Sequence, residues 1–114
     1  MPELVVRKIV FSMGYRYRLH GADLPGKPDL VFRTRKKTIF VNGCFWHRHE
    51  GCKKATTPSS RLEYWLPKFM RTVERDSKHL NTLREMGWKT LVVWECELKD
   101  ADALAGRLKA FLDE

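Results

Sequence analysis

The run Cys44-Phe45-Trp46-His47-Arg48-His49-Glu50-Gly51-Cys52 puts two thiols and two imidazoles within nine residues, and one further cysteine, Cys96, stands far downstream. Cys44, His49 and Cys52 follow Cys-x4-His-x2-Cys spacing, which a short loop can close around one ion. Thiolate and imidazole donors in a tetrahedral set select zinc over magnesium or calcium. Cys96 is the natural fourth ligand, because it follows a stretch with the pattern of a core strand. Four protein ligands leave no open position, so such a zinc would be structural. The plain alternative is three buried free cysteines, since an odd count argues against a complete internal disulfide framework.

One ion closed by three cysteines needs a single histidine. With His49 in that place, His47 is free for proton transfer near neutral pH; otherwise it is an ordinary polar loop residue. A second kind of chemistry is suggested by Pro25-Gly26-Lys27-Pro28-Asp29-Leu30-Val31-Phe32, which sets a carboxylate at the start of an apolar strand. Asp29 would suit Mg²⁺, which takes one or two carboxylates together with waters and substrate phosphate. The main-chain carbonyl of Val41, across the predicted hairpin, could share that ion. A loop-ending aspartate after proline is the ordinary alternative. Phe45, Trp46, Tyr64 and Trp65 add large aromatics to a polar, cationic neighbourhood. Such side chains either wedge between base pairs or pack on the sheet and cover the metal loop.

These residues need elements to position them. Leu4, Val5, Ile9, Val10 and Met13 recur at helical spacing and Gly14 supplies a stop, giving a helix over Pro2 to Met13. Tyr15 to Leu19 alternates as a half-buried strand, and Gly21 to Pro28 is a loop. Asp29 to Arg33 and Thr38 to Asn42 form a hairpin around the basic turn Arg35-Lys36-Lys37. A long helix spans Ser60 to Met86, with Ser60 and Glu63 at capping-box spacing and Pro67 expected to kink or split it. Gly87 ends it. Lys89 to Trp94 is an apolar, buried strand, and a last helix covers Ala101 to Leu112. The outcome is one α/β domain over residues 1–114, a mixed sheet flanked by helices.

The 22 Lys and Arg against 14 Asp and Glu give a formal charge of +8, which favours a polyanionic partner such as nucleic acid. The excess lies in Arg33 to Lys37 and in Arg48 to Arg75 rather than in the acidic tail. No apolar run approaches the roughly 20 residues that span a bilayer, and Met1-Pro2-Glu3-Leu4 lacks the pattern of a signal peptide. The cytoplasm is the expected location.

Taken together, these segments resemble the very short patch repair (Vsr) endonucleases, bacterial enzymes of the restriction-endonuclease-like superfamily that nick DNA beside a thymine mispaired with guanine. The resemblance rests on Leu24-Pro25-Gly26-Lys27-Pro28-Asp29, Ile39 to His47, Tyr64-Trp65-Leu66, Val73-Glu74-Arg75-Asp76, Leu83 to Trp88 and Val92-Val93-Trp94-Glu95-Cys96. It implies that Asp29 and the Val41 carbonyl hold Mg²⁺, with Glu3 near that site. His47 would be the general base or the residue that positions water, and Cys44, His49, Cys52 and Cys96 would hold Zn²⁺. Phe45, Trp46 and Trp65 would form the wedge beside a T·G mismatch, while Arg35, Lys36, Lys37 and the long helix neutralise phosphates. Asp76 matches an acidic position without an assigned role. DNA repair proteins are implied partners, and the bacterial nucleoid the implied setting.

Three departures from the family pattern accompany the resemblance. The spacing between His49 and Cys52 is often one residue shorter, Asn42 stands where some members carry histidine, and the usual N-terminal DNA-clasping arm is expected to be absent, because the sequence starts almost directly at the first helix. Two other functions compete with mismatch nicking: a zinc-stabilised DNA-binding module in which Asp29 and His47 are inert, and a related nuclease without mismatch specificity.

Overall fold

Alternation of apolar side chains along the strands dictates which helix covers which face of the sheet. The computed structural model of the chain describes residues 2–114. Four strands, β1 (Arg18–Leu19), β2 (Leu30–Phe32), β3 (Lys37–Asn42) and β4 (Lys89–Trp94), lie in the order β1-β2-β3-β4. β1 pairs antiparallel with β2 and β2 with β3; β4 runs parallel to β3, with Val41 opposite Val93 and Asn42 opposite Trp94. A parallel neighbour cannot be reached by a tight turn. The crossover contains the long helix α2 (Leu62–Glu85), while α1 (Pro2–Ser12) precedes the sheet and α3 (Ala101–Asp113) follows it.

Leu30, Phe32, Ile39 and Val93 pack with Val6 and Val10 of α1 and Leu104, Leu108 and Leu112 of α3. Val31, one residue out of phase, joins Leu24, Trp88 and Leu83 of α2, with Phe40 against them. Successive strand residues point to opposite faces, so α1 and α3 cover one face and α2 the other. The mixed sheet flanked by helices is therefore present as an open four-stranded sheet.

Several local expectations need correction. Only Arg18 and Leu19 of the first predicted strand find ladder partners, because Tyr15 and Tyr17 pack on the α1/α3 core instead. α2 begins at Leu62 with Arg61 as its left-handed N-cap and no side-chain cap, so the Ser60–Glu63 capping box does not form. Pro67 neither divides nor ends α2. The bond it cannot make is the one to the carbonyl of Glu63, an exposed residue whose carbonyl water can serve. Gly87, at φ +89°, does end the helix. β4 is an edge strand, and Val93 is its one fully buried residue rather than one of a buried row.

Lys37 is also not where the basic turn suggested. Only 4% exposed, its ammonium donates to the carbonyls of Phe111 (2.6 Å), Leu112 (3.2 Å) and Glu114 (3.0 Å). It thus satisfies the free carbonyls at the C-terminus of α3 and complements that end of the helix dipole. Burial lowers its pKa from the ordinary lysine value. Lys37→Met keeps the stem but removes the donors, and should lower the unfolding free energy by about 2 kcal/mol, read from urea denaturation followed by circular dichroism.

Candidate active site and metal centre

The chain leaves β3 through Gly43 into a loop closed by its own backbone. His49 N donates to the carbonyl of Cys44 (3.0 Å), and Cys52 N to that of His49 (3.2 Å). Arg48, in the left-handed region at φ +56°, turns its guanidinium inward. It donates to the carbonyls of Phe45, Ala55 and Thr56, each at 3.1 Å, and lies 4.0 Å over the Phe69 ring. This cation binds the loop together and is largely consumed in doing so.

The loop brings Cys44, His49 and Cys52 to Cys96, which the 3-10 turn Glu95–Lys99 carries back from the end of β4. One donor atom from each lies within 4.8 Å of all the others. His49 Nδ1 is 3.7 Å from Cys44 Sγ and 3.4 Å from Cys96 Sγ. In a tetrahedron with Zn–S about 2.3 Å and Zn–N about 2.0 Å, that edge is about 3.6 Å. The donor set and its spacing therefore fit one thiolate-preferring ion. Trp94 stacks on the His49 ring (4.2 Å, 7°) and fixes its plane. Burial raises the Cys44 thiol to about 11, and the Lys54 backbone amide lowers Cys52 to about 7. A divalent ion would hold all of them as thiolates.

A second centre lies beside the first. Asp29, immediately before β2, accepts a bond from Val41 N at 2.6 Å. Within a strand the N–H and C=O of one residue point to the same edge, so the Val41 carbonyl faces the same side as the Asp29 carboxylate. Burial raises the pKa of Asp29, with the charge of Glu3 adding to this and the Val41 amide opposing it. Glu3 reaches the site from the first turn of α1, and its buried Oε1 has no hydrogen-bond partner among the described residues. Two carboxylates, one of them with an orphaned buried oxygen, and a carbonyl suit a hard cation. His20, which sequence reasoning missed, completes a group in which Glu3, His20 and Asp29 donors lie within 4.8 Å of one another. Its only sequence signal was a histidine at the end of a short polar strand.

His47 and Asp29 line one cavity of about 560 Å³, together with Asn42 at the end of β3 and Arg75, Asp76 and His79 of α2. Asp76, left without a role by the sequence, pairs with His47 here. Its Oδ2 is 2.6 Å from His47 Nδ1, with both side chains 27% exposed. A Nδ1–H donated to that carboxylate leaves the Nε2 lone pair of a neutral ring available as a base. His47 and His49, two residues apart on a turning loop, thus serve different centres.

Phe45 meets Trp46, Trp65 and Phe69 edge-on at centroid separations of 5.3, 5.9 and 5.4 Å, and Trp46 also meets Trp65 at 5.7 Å. Trp46 stays 53% exposed. Phe69, which the sequence did not single out, is the buried anchor of this aromatic plateau; its signal was the four-residue spacing from Trp65 on α2. Trp65, at the start of α2, packs on the loop aromatics Phe45 and Trp46. A groove beside Trp46 is lined by Lys68, Arg71, Arg75 and Lys78, and it shares Arg75 and His79 with the cavity. The basic turn is elsewhere. Arg35 and Lys36 lie at the far end of the β2–β3 hairpin, beyond Lys37, which is itself about 17 Å from Asn42 at ~3.3 Å per residue, and Arg35 NH1 donates to the Leu112 carbonyl. With Lys37 buried, the predicted trio is not part of this face.

Residues 1–54 match the family model described as DNA mismatch endonuclease Vsr. The chain is 50% identical over 112 residues to the type II nicking enzyme V.XorIIP of Xanthomonas oryzae pv. oryzae, a match covering 98% of this chain and 82% of that protein. Against the type II nicking enzyme V.NmeAIP of Neisseria meningitidis serogroup A it is 42% identical over 113 residues, covering 99% and 80%. Against the DNA mismatch endonuclease Vsr of Escherichia coli K12 it is 41% identical over 96 residues, covering 84% and 61%.

The four-donor loop predicts one equivalent of tightly held thiolate-preferring ion in the purified chain. Cys96→Ser should lose it and lower the thermal midpoint by more than 10 °C (about 3 kcal/mol or more), as measured by metal emission spectroscopy and circular dichroism melting. Unchanged metal content in Cys96→Ser would remove that residue from the donor set.

Proposed function

The chain belongs to the Vsr family of DNA endonucleases, and on that premise we propose that it nicks one strand of duplex DNA beside the T of a T·G mismatch, using Mg²⁺ for hydrolysis and Zn²⁺ for structure. One observation carries the reading: Asp29 and the His47–Asp76 pair open onto the same cavity, and exposed Trp46 adjoins it through a cationic groove. Bound at Asp29 and the Val41 carbonyl, with Glu3 beside it, Mg²⁺ would supply polarisation of the phosphate and stabilisation of the leaving oxygen.

The protein's own groups divide the remaining work. His47 Nε2 would take the proton of the attacking water, while the Asp76 carboxylate fixes the ring and stabilises the imidazolium that forms. Lys68, Arg71, Arg75 and Lys78 would hold successive phosphates and lead the strand from Trp46 to the cavity. Phe45, Trp46 and Trp65 would enter the base stack. Unstacking a step costs on the order of a few kcal/mol, and the cost is lower for a weakly stacked wobble pair, so the wedge favours T·G over matched DNA. Such an enzyme would act in the bacterial cytoplasm, at the nucleoid and alongside other repair proteins.

The test is an end-labelled duplex with a single T·G pair, incubated with Mg²⁺ and then with EDTA. Nicking confined to the mismatched duplex and abolished by EDTA is expected. Asp29→Ala should eliminate it, and His47→Ala and Asp76→Asn should each slow it by about 10²–10⁴-fold with DNA affinity retained. Binding without any nick would leave only a DNA-binding module, and equal cutting of matched duplex would leave a nuclease without mismatch selection.

A further inference from the structure

The group of Glu3, His20 and Asp29 contains an imidazole, and that changes which cations it would hold best. We propose that His20 is a direct ligand of the divalent cation at Asp29, so that the site prefers a first-row transition ion such as Mn²⁺ to Mg²⁺. This deepens the proposed function and rests on its assignment of a cation to Asp29.

Three independent features converge on His20. Its donor atom lies within 4.8 Å of those of both carboxylates, and its Nδ1 is 3.7 Å from Glu3 Oε1. Metal–ligand bonds of about 2.1 Å set ligand–ligand separations of about 3–4 Å. That Glu3 oxygen is buried and has no hydrogen-bond partner among the described residues, so the acceptor 3.7 Å from His20 Nδ1 is unsatisfied. The backbone of His20 is held in the left-handed region at φ +50°, an uncommon conformation for a residue with a side chain. Bonds from His20 N to the Asp29 carbonyl (3.1 Å) and from Gly21 N to the Pro28 carbonyl (3.0 Å) keep it there. They tie the backbone of His20 to that of Asp29.

The ring is 66% exposed, so it would close the solvent side of a site whose inner side is Asp29 and Glu3. Two carboxylates alone suit Mg²⁺, whereas an imidazole nitrogen is a borderline donor that favours transition ions. His47 is not one of the donors that converge there: the group whose atoms lie within 4.8 Å of one another is Glu3, His20 and Asp29.

The experiment adds Mn²⁺ to the zinc-replete full chain without DNA, and follows binding by calorimetry and pulsed electron paramagnetic resonance. Competition with Mg²⁺ gives the preference. Bound Mn²⁺ should show modulation from a directly coordinated nitrogen. That modulation should vanish in His20→Gly, which relieves the left-handed conformation, and in His20→Ala. Both variants should weaken Mn²⁺ by about tenfold or more and Mg²⁺ by less than about twofold, with melting temperatures close to that of the parent. A parent with no nitrogen modulation, or variants that keep the modulation or the Mn²⁺ preference, would overturn the role of His20 while leaving the Asp29 cation site standing. Mn²⁺ binding no stronger than in Asp29→Asn would overturn both.

Discussion

The parallel pairing of β3 with β4 is the constraint on which the rest of the molecule depends. Its register, Asn42 opposite Trp94, makes both strands finish at the same end of the sheet. The cysteine loop leaves one strand there and the 3-10 turn bearing Cys96 leaves the other, so a single ion can span two chain segments roughly fifty residues apart. β2 runs antiparallel to β3, and its beginning therefore falls at that same end, which brings in Asp29. The crossover that parallel pairing demands is α2, and its passage over this edge delivers Asp76 to His47. One hydrogen-bonding choice in the sheet gathers both centres.

The two centres stay distinct because their donors differ in hardness. Thiolates and His49 form a set that Mg²⁺ avoids, while Asp29, Glu3 and a backbone carbonyl form one suited to ions that favour oxygen. Yet they are mechanically joined. His47 sits three residues after Cys44 and two before His49, so an ion that fixes the loop also fixes the imidazole. Asp76 then removes the remaining rotational freedom of the ring. In the proposed role of proton acceptor, an imidazole held in this way would have less orientational entropy to lose on the way to reaction.

Much of this was legible in the sequence wherever chemistry is local. Cys-x4-His-x2-Cys is a short-range pattern, and only one other thiol existed to complete it. Asp29 and the Val41 carbonyl were within reach of hairpin reasoning. What escaped depended on tertiary placement. Lys37 resembled a phosphate contact because it stood among Arg35 and Lys36, but strand alternation turns its stem inward to the end of α3. The Asp76 partnership needed the angle at which α2 crosses the sheet. His20 needed the left-handed turn that sets it over Glu3. Ser60 failed as a cap because the backbone enters α2 one residue later, through Arg61.

The aromatic plateau poses the sharpest energetic question, since a half-exposed tryptophan forgoes part of the burial that would stabilise the fold. Its neighbours supply what compensates: each edge-to-face contact contributes about 0.5–1.5 kcal/mol, and Phe69 with the Arg48 guanidinium anchors Phe45 from beneath. Rigidity is the more consequential result. A floppy tryptophan would lose rotamer entropy on entering a base stack, and that loss would fall equally on matched and mismatched DNA. A ring already held between Phe45 and Trp65 loses little, so its rigidity would strengthen entry into either duplex alike and leave the difference between sites to the cost of opening the base pair. The same loop that houses the soft donors would thereby give the proposed wedge its affinity, while its selectivity rests on the weakness of the base pair.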